Sequence, residues 1–344
     1  MQPIELRSDN CAGAAPEVLA ALAAADAGSA LAYGGDDHTA QLRELVREVF
    51  AAPQAEVFPV LTGTAANSLG LSALCPPWGA VLCHETAHIL RSECAATSMF
   101  GGGASLRGLP GADYKLSPDS LREAFAATNW GDNHHSQPSV VSITNPTDLG
   151  TVYSADEVAA LGRVAATHQL RLHLDGARLA NALVTLGAAP AQFVQPFSVF
   201  SLGATKNGAI STDAIVSLDP AASEQLYYRV KRAGHVASKM RYLSAQLTAY
   251  LTDGLWLRLA ERANHATASL ANGLRAHGVQ FLAEPQANII FARVGEHAAQ
   301  QMAAHGLLFY DMGGGVVRLV TSFQTTDADV AEALRRIGAA LSSS

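Results

Sequence analysis

Short apolar segments alternate with longer segments of helical periodicity from residue 57 to residue 218, and this alternation limits the possible folds more than any other feature. Apolar strands separated by helices are typical of a mostly parallel α/β sheet with helices on both faces. The strands are predicted at 57–61, 80–83, 139–144, 171–175, 197–202 and 213–218. The helices are predicted at 64–75, 89–99, 118–127, 155–168 and 177–186. Such sheets bind ligands beyond the carboxyl ends of their strands, so we expect the chemistry there.

The segments on either side of this region are organised differently. The first ten residues are polar and predict an extended arm, followed by helices at 16–26 and 38–51. A long helical stretch is predicted at 223–277, and then strand, helix, strand and helix at 288–294, 300–305, 316–320 and 328–341. A chain of 344 residues is long enough for two domains. We predict an arm and large domain over 1–255 and a smaller C-terminal α+β domain over 256–344.

Charge and composition exclude several classes of function. The formal net charge is −7, so neither nucleic acid nor an anionic membrane is an expected partner. The apolar run at 18–25 is far too short to span a membrane, and the charged residues among the first ten argue against a signal peptide. The four cysteines form no C-x-x-C pair, which favours a reducing compartment. We therefore expect a cytoplasmic protein.

The segment His84-Glu85-Thr86-Ala87-His88 matches H-E-x-x-H, a pattern in which one helix face holds two zinc-binding histidines. Here it follows a predicted strand at once, which leaves little room for the helical turn that zinc binding needs. Arg91 and Cys94 also stand where the longer zinc-protease pattern has Gly and His. A zinc hydrolase using His84 and His88 is therefore kept only as an alternative, and no metal site is predicted.

The turn Thr62-Gly63-Thr64 joins the first strand of the alternating region to a helix. A glycine lets the backbone approach a ligand closely, and the amides at a helix N-terminus attract an anion. The turn lacks the G-x-x-x-x-G-K-[ST] pattern of nucleotide hydrolases, so a small phosphate group fits it better than a dinucleotide. A routine turn with threonine as the helix cap explains the same residues at least as well.

Asp175 and Lys206 each follow a predicted strand and are separated by one helix and one strand. Both should therefore lie at the same edge of the sheet, near the turn at Gly63. The alternatives are a helix cap for Asp175, an ion pair between Asp175 and Arg178, and a solvent-exposed Lys206. A desolvated lysine is available as an amine nucleophile. An amine, an acid and an anion site at one edge are what pyridoxal phosphate requires.

Several separated motifs give the chain a resemblance to a known family. They are Leu6-Arg7-Ser8-Asp9, Tyr33-Gly34-Gly35-Asp36-Asp37, Thr62-Gly63-Thr64-Ala65-Ala66-Asn67, Thr86-Ala87-His88-Ile89, His173-Leu174-Asp175-Gly176-Ala177-Arg178, Thr205-Lys206-Asn207-Gly208, Ser238-Lys239-Met240-Arg241 and Val317-Arg318-Leu319-Val320. Over nearly its whole length the chain resembles the low-specificity L-threonine aldolases, and most of all the branch that contains phenylserine aldolase. These enzymes use pyridoxal phosphate, and the resemblance implies an aspartate-aminotransferase-like large domain.

The resemblance implies a cofactor role for each matching residue. Lys206 would bind the cofactor aldehyde as a Schiff base, and Asp175 would pair with the pyridine nitrogen. Gly63 and Thr64 would bind the phosphate. His88 would stack on the cofactor ring and help to deprotonate the substrate hydroxyl.

Substrate and subunit contacts are implied as well. Arg178, which also counts among the cofactor-binding residues, would hold the substrate carboxylate together with Arg318 and Ser8. Arg241 would reach the phosphate of a neighbouring subunit, so the protein would be a homo-oligomer, dimer or tetramer, with a shared active site. A second active-site histidine would be His134 or His135, of which His135 is preferred.

The reaction implied by the resemblance is retro-aldol cleavage of L-threonine, allo-threonine or phenylserine to glycine and an aldehyde. Two departures concern the pocket wall. Thr205-Lys206-Asn207-Gly208 stands where many members have Ser-Lys-Gly-Leu-Gly, and Thr144-Asn145-Pro146-Thr147-Asp148 stands where many have Glu-Asn-Thr-His. They leave the preferred aldehyde open. Other reactions of the same cofactor, namely β-elimination, aminotransfer and racemisation, are alternatives because one fold supports many chemistries.

Overall fold

The computed structural model describes residues 2–342. Its strands are β1 (Ile4–Glu5), β2 (Glu56–Val60), β3 (Gly79–His84), β4 (Ser105–Leu109), β5 (Gln137–Thr144), β6 (Arg171–Asp175), β7 (Val199–Leu202), β8 (Asp213–Ser217), β9 (Gln280–Phe281), β10 (Ile289–Arg293), β11 (Leu307–Leu308), β12 (Tyr310–Gly313) and β13 (Val316–Val320). Seven of them form the main sheet in the order β2-β8-β7-β6-β5-β3-β4. Only β8 runs against the others, antiparallel to both β2 and β7. The predicted α/β class, with a mostly parallel sheet, is confirmed.

Helices cover both faces of this sheet. They are α1 (Pro16–Ala25), α2 (Asp37–Val49), α3 (Gly63–Leu74), α4 (His88–Arg91), α5 (Ala96–Phe100), α6 (Pro118–Ala126), α7 (Ala155–Ala166), α8 (Leu179–Leu186), α9 (Pro190–Val194), α10 (Pro220–Arg232), α11 (Arg241–Leu251), α12 (Leu255–Ala276), α13 (Glu296–Ala304) and α14 (Asp327–Ser342). One face packs through Leu174 and Phe200 against α2, α7 and α8. The other packs through Val81 and Val199 against α3 and α10. No described helix is both long and apolar enough to cross a membrane.

Helix α3 is buried over most of its length. All of its residues from Ala65 to Leu74 are buried. A Cβ on Gly70 would come within 3.0 Å of Val199 Cγ1, so only glycine allows this approach without displacing the strand. Thr62 caps the helix, its Oγ1 accepting a hydrogen bond of 3.2 Å from the Ala65 amide. The N-terminus of α3 is thereby fixed at the carboxyl edge of the sheet.

The C-terminal region forms a second, antiparallel sheet in the order β12-β13-β10-β9, and the arm adds β1 alongside β11. The predicted smaller α+β unit is therefore present. Helix α12 belongs to both hydrophobic cores: Trp256 and Ala260 pack with the large sheet, whereas Leu270 and Leu274 pack with the small one. The division at 255/256 stays a prediction, since this one helix runs from the first core into the second.

Two predicted helical stretches are divided in the structure, and some observed elements, β4 among them, were not predicted. The helix predicted at 89–99 is two short helices, α4 and α5, because Cys94 and Ala95 adopt left-handed backbone angles with φ of 50° and 58°. The helical stretch predicted at 223–277 is interrupted twice and forms α10, α11 and α12. Strand β4 was not predicted; its residues are only half-buried at the sheet edge, so they lack the apolar run of a central strand.

Candidate active site

The carboxyl edge of the main sheet surrounds a cavity of about 260 Å³. Loops that follow β2, β3, β5, β6 and β7 contribute to its wall. Six of the predicted site residues line it: Gly63, Thr64, His88, Asp175, Arg178 and Lys206. The topology explains this, because parallel strands place their following loops at one edge. These six residues therefore meet at the carboxyl edge of the main sheet, where the sequence predicts the site.

Lys206 lies in a short 3₁₀ turn, Thr205–Asn207, directly after β7. Asp213 holds this turn, since its Oδ1 accepts hydrogen bonds from the amides of Ala204 at 2.7 Å and Thr205 at 3.1 Å. Burial lowers the pKa of the Lys206 amine below its usual value, and the positive charge of Arg178 lowers it further. The lysine is therefore not a solvent-exposed loop residue, and its neutral, nucleophilic form is favoured.

Asp213 was missed by the sequence analysis as a site residue. It begins β8, the one reversed strand, so its amino end lies at the same edge as the carboxyl ends of the parallel strands. Burial raises the pKa of this carboxyl above its usual value, although the two amide hydrogen bonds oppose the shift.

Asp175 ends β6 and is only 2% exposed. Its Oδ1 accepts a hydrogen bond of 3.1 Å from the amide of Ala177. Helix α8 begins at Leu179, so Asp175 does not cap it, and Arg178 precedes the helix instead of lying in its first turn. Arg178 pairs with Asp9, not with Asp175. Both structural alternatives for Asp175, a helix cap and an ion pair with Arg178, are therefore excluded.

His88 faces the cavity from the start of α4, and a buried acid lies behind it. Glu93 Oε1 is 2.9 Å from His88 Nδ1 and accepts a further hydrogen bond of 2.9 Å from Asn67 Nδ2. The hydrogen bond to Glu93 raises the pKa of His88, while burial raises the pKa of Glu93 itself. The role of Glu93 was not predicted. The available signal was an acid five residues after His88, but only the break between α4 and α5 turns it inward.

The zinc motif does not form. His84 ends β3 and His88 begins α4, so the two histidines do not share a helix face. Both ring nitrogens of His84 are engaged, Nδ1 with Thr86 Oγ1 at 2.7 Å and Nε2 with the Gly111 carbonyl at 3.0 Å. A different trio, His88, Glu93 and Asp175, has ligand atoms within 4.8 Å of one another and could coordinate a metal ion. It lies in the cavity described above.

The arm reaches the cavity through Asn10, and the carboxylate of Asp9 contacts the cavity residue Arg178 at Nε (2.6 Å) and Nη2 (2.8 Å). Ser8 is turned elsewhere. Its Oγ accepts from the Asn10 amide at 3.2 Å, and it borders a separate small pocket. Arg318 lies on β13, near enough to Arg178 for that charge to act on it, and burial lowers its pKa. Its guanidinium also lies 5.6 Å from the Tyr310 ring centroid.

Ser8 and Arg318 are not among the residues that line the cavity, and three further predicted residues also lie outside it. His134 and His135 are exposed beside Asp132, ahead of the amino end of β5 and hence at the opposite edge. Arg241 begins α11, where its Nη1 donates to the Gly28 carbonyl at 3.1 Å and its buried Nε has no hydrogen-bond partner among the described residues. The active-site roles of His135 and Arg241 stay predictions.

Similarity to known proteins gives the general class to which the chain belongs. The family model described as "Beta-eliminating lyase" matches residues 5–303. Aspartate aminotransferase from Thermus thermophilus superposes with a TM-score of 0.69 at 16% identity, covering 98% of this chain and 92% of that one. This likeness shows the fold alone. Fold and family together define a lyase with an aspartate-aminotransferase-like architecture.

The more similar proteins narrow this class. A low specificity L-threonine aldolase of a Pseudomonas species is 39% identical over 346 residues, which cover 99% of each chain. The Pseudomonas aeruginosa protein of that description is 38% identical over 97% of this chain and 96% of its own. A threonine aldolase structure from Leishmania major has a TM-score of 0.93 at 26% identity and covers 98% of this chain and 100% of that one. The chain belongs to the low-specificity L-threonine aldolase family.

Proposed function

We propose that this protein is a pyridoxal-phosphate-dependent aldolase that cleaves L-threonine, allo-threonine or phenylserine-type β-hydroxy-α-amino acids to glycine and an aldehyde. The observation that carries the proposal is the meeting of Lys206, Asp175 and the N-terminus of α3 in one cavity. An amine of lowered pKa, a buried carboxylate and free helix amides are the three groups that this cofactor needs.

The residues present fit the cofactor. The Lys206 amine would bind its aldehyde, Asp175 would pair with its pyridine nitrogen, and the amides of Gly63 and Thr64 would hold its phosphate. Gly63 lines the cavity at the N-terminus of α3, and having no side chain it leaves the first amides of the helix accessible. When bound, pyridoxal phosphate supplies an electron sink for the electron pair of the broken Cα–Cβ bond.

The substrate contacts follow from the cations around the cavity. Arg178 uses Nε and Nη2 for Asp9, which leaves Nη1 for a substrate carboxylate. Arg318 would hold the same carboxylate from β13, and a carboxylate fixed at two points orients the bond that is to be cleaved. Ser8 is the weakest of the predicted contacts because its hydroxyl caps the turn at Asn10.

His88 would lie on the cofactor ring, with its orientation set by Glu93. Because Nδ1 faces Glu93, Nε2 is the nitrogen left to meet the substrate hydroxyl, directly or through water. Only the neutral imidazole can take a proton there, and Glu93 raises the pKa of His88. We therefore expect proton removal by His88 to require a higher pH than for an isolated histidine.

We further propose a homo-oligomer, dimer or tetramer, with a shared active site to which Arg241 contributes from the neighbouring subunit. The wall of the cavity supports it, since Leu61 lines the cavity and is 50% exposed. Leu31 and Tyr33 are also largely exposed, at 75% and 60%. A cytoplasmic setting is supported by the four free cysteines, Cys11, Cys75, Cys83 and Cys94.

The test is an aldehyde-release assay with threonine, allo-threonine, phenylserine and 3-hydroxyaspartate, in which the visible spectrum is recorded alongside. We expect glycine and an aldehyde in equal amounts from at least one substrate, and a cofactor absorbance that Lys206→Ala abolishes. Formation of a keto acid, ammonia release or racemisation in place of aldehyde would contradict the proposal in favour of another reaction of the same cofactor. Activity lost to a chelator from a colourless protein would instead favour the zinc alternative.

A further inference from the structure

Asp148 lies on a tight turn that follows β5 and closes one side of the cavity. The Thr147 amide donates to the Thr151 carbonyl at 2.8 Å, and the Gly150 amide donates to the Thr147 carbonyl at 2.8 Å. The hydroxyls of Thr147 and Thr151 are a further 2.6 Å apart. The backbone that carries Asp148 is therefore held from both sides, at a place where this residue lines the cavity.

The same turn is anchored to the C-terminal sheet. Leu149 packs into a cluster with Ile289 and Phe291 of β10. Gly150, with φ of 89°, lies so close to β10 that a Cβ there would be 2.8 Å from the Ile289 carbonyl oxygen. Arg318 lies on the neighbouring strand β13, and the negative charge of Asp148 acts on its pKa. Asp148 is thus placed between the cofactor-binding residues and the second predicted carboxylate-binding arginine.

Asp148 differs from the other acids of the cavity in having no partner. Asp175 accepts from the Ala177 amide, Glu93 from Asn67, and Asp213 from two backbone amides. Within residues 2–342, the Asp148 carboxylate makes no hydrogen bond or ion pair. Asp148 is half-buried in the cavity wall, so its unpartnered carboxylate is open to accept a hydrogen bond from a group that enters the cavity.

We propose that Asp148 is a specificity-determining residue that accepts a hydrogen bond from the substrate β-hydroxyl and rejects substrates with a carboxylate on the β-carbon. This inference rests on the proposed function and names its substrate class: β-hydroxy-α-amino acids with an uncharged side chain, such as methyl or phenyl. Because the α-carboxylate would occupy Arg178 and Arg318, a second carboxylate on the β-carbon would have neither arginine as its partner. That second carboxylate would meet Asp148, and two adjacent carboxylates cannot both stay ionised.

The charges that face Asp148 come from every neighbouring element. Asp175 follows β6 and raises the pKa of Asp148, as does burial, which is the larger effect. His88, Arg178 and Lys206 lower it. Because a second carboxylate beside Asp148 would raise the pKa of one of the two acids further, binding of a β-carboxylate should take up a proton, either on the ligand or on Asp148. Discrimination against an acidic side chain should therefore weaken as the pH falls.

The experiment uses two amino acids that lack a β-hydroxyl, L-aspartate and L-2-aminobutyrate, and measures their dissociation constants from the visible spectrum of the holoenzyme. The wild type should bind L-2-aminobutyrate more tightly. Asp148→Asn should increase the affinity for L-aspartate relative to that for L-2-aminobutyrate by about tenfold or more. The amide keeps the shape of the side chain but no longer repels the β-carboxylate. Asp156→Asn is the matched control, since it removes one acid from the exposed first turn of α7 and should leave the ratio unchanged. An unchanged ratio in Asp148→Asn overturns the inference.

A second measurement needs no variant. In the wild type, the dissociation constant of L-aspartate divided by that of L-2-aminobutyrate should decrease as the pH falls from about 9 to about 6. The decrease should be up to about tenfold for each pH unit. A flat ratio overturns the inference even if Asp148→Asn does not fold. If the proposed function is wrong, the result is different: the wild type releases no aldehyde from threonine or phenylserine, whatever the dissociation constants of the two ligands are.

Discussion

Asp9 and Arg178 form a buried two-point ion pair that makes the N-terminal arm part of the active-site wall. Their side chains are 1% and 10% exposed, and the two contacts measure 2.6 and 2.8 Å. Asn288 from the C-terminal region donates a further hydrogen bond of 2.9 Å to Asp9. Burial lowers the pKa of Arg178, but the charge and the hydrogen bonds of Asp9, together with the charges of Asp148 and Asp175, raise it above its usual value. Arm, large sheet and small sheet therefore meet at one carboxylate.

Replacement of Asp9 by Asn should destabilise the protein, because it leaves the buried Arg178 charge without its partner. We expect a loss of about 3–5 kcal/mol in the free energy of unfolding at neutral pH. Burial alone would raise the pKa of Asp9, but the charges of Arg178 and Lys206 and the hydrogen bonds from Arg178 and Asn288 together lower it in the folded state. Its stabilisation is therefore present above the unfolded pKa of about 3.9 and lost as the pH falls through the folded pKa. Urea unfolding across this range measures both effects.

The control for Asp9 is Glu5→Gln, which breaks another pair of the arm. Glu5 and Arg7 are 34% and 43% exposed, so water screens this pair. Its loss should cost about 1 kcal/mol or less. Equal destabilisation by the two variants would show that the charge on Asp9 is not what holds the arm.

Lys206→Ala should abolish the covalent link to the cofactor. With wild-type protein, borohydride should convert the bound pyridoxal phosphate into an adduct that survives denaturation, whereas the variant should release all cofactor. Mass spectrometry of the denatured protein measures the difference. Lys231→Ala on α10 is the control, because this lysine is not expected to react with the cofactor. Normal turnover by Lys206→Ala would show that Lys206 is not the lysine that binds the cofactor.

Asp175→Asn should reduce turnover by several orders of magnitude while leaving part of the cofactor binding intact. The amide keeps the shape and can still accept from the Ala177 amide, but it cannot stabilise a protonated pyridine nitrogen. Cofactor content from the visible spectrum, measured beside the aldehyde-release rate, separates the two effects. Wild-type rates in this variant would reduce Asp175 to a structural residue.

Glu93→Gln should lower the pKa of His88. The hydrogen bond to Glu93 is the largest cause of the raised pKa of His88, and an amide offers no negative charge. The NMR titration of the His88 ring should therefore move to lower pH, towards the usual value of about 6.5. The exposed Glu85→Gln serves as the control, three residues from His88 in the other direction. If the titration stays in place, Glu93 does not set the charge of His88.

Arg241 tests the shared active site. Arg241→Ala and Lys206→Ala should each be inactive alone. Their co-expression should regain up to about a quarter of the wild-type activity, because a mixed dimer holds one site built from two intact contributions. Full inactivity of purified mixed dimers would place both residues in the same subunit's site.

The sequence predicted the cavity because its main residues obey one simple rule. Gly63 and Lys206 follow a strand and Asp175 ends one. Because these strands are parallel, the residues at their carboxyl ends lie at one edge of the sheet. Asp213 could not be found by this rule, since it precedes its strand and only the reversal of β8 brings it to that edge. Strand direction depends on pairing between distant segments and leaves no local pattern.

Other residues were missed or misplaced for local reasons. Glu93 enters the site through the left-handed angles at Cys94 and Ala95, residue types that rarely adopt them and therefore give no warning. The hydroxyl of Ser8, predicted at the substrate, accepts from the Asn10 amide in the structure, and its substrate contact stays a prediction. The long helix predicted up to residue 277 was divided by turns at 233–240 and 252–254 that its amphipathic pattern did not reveal.

The reversed strand β8 also ties two functional groups to one short piece of chain. Lys206 closes the outgoing strand and Asp213 opens the returning one, so a single hairpin carries both. A change in the length of this hairpin would displace the amine and its supporting acid together, whereas the loops after β3 and β5 can vary one at a time. Engineering of the aldehyde preference therefore has more freedom at the far wall of the cavity than beside the lysine.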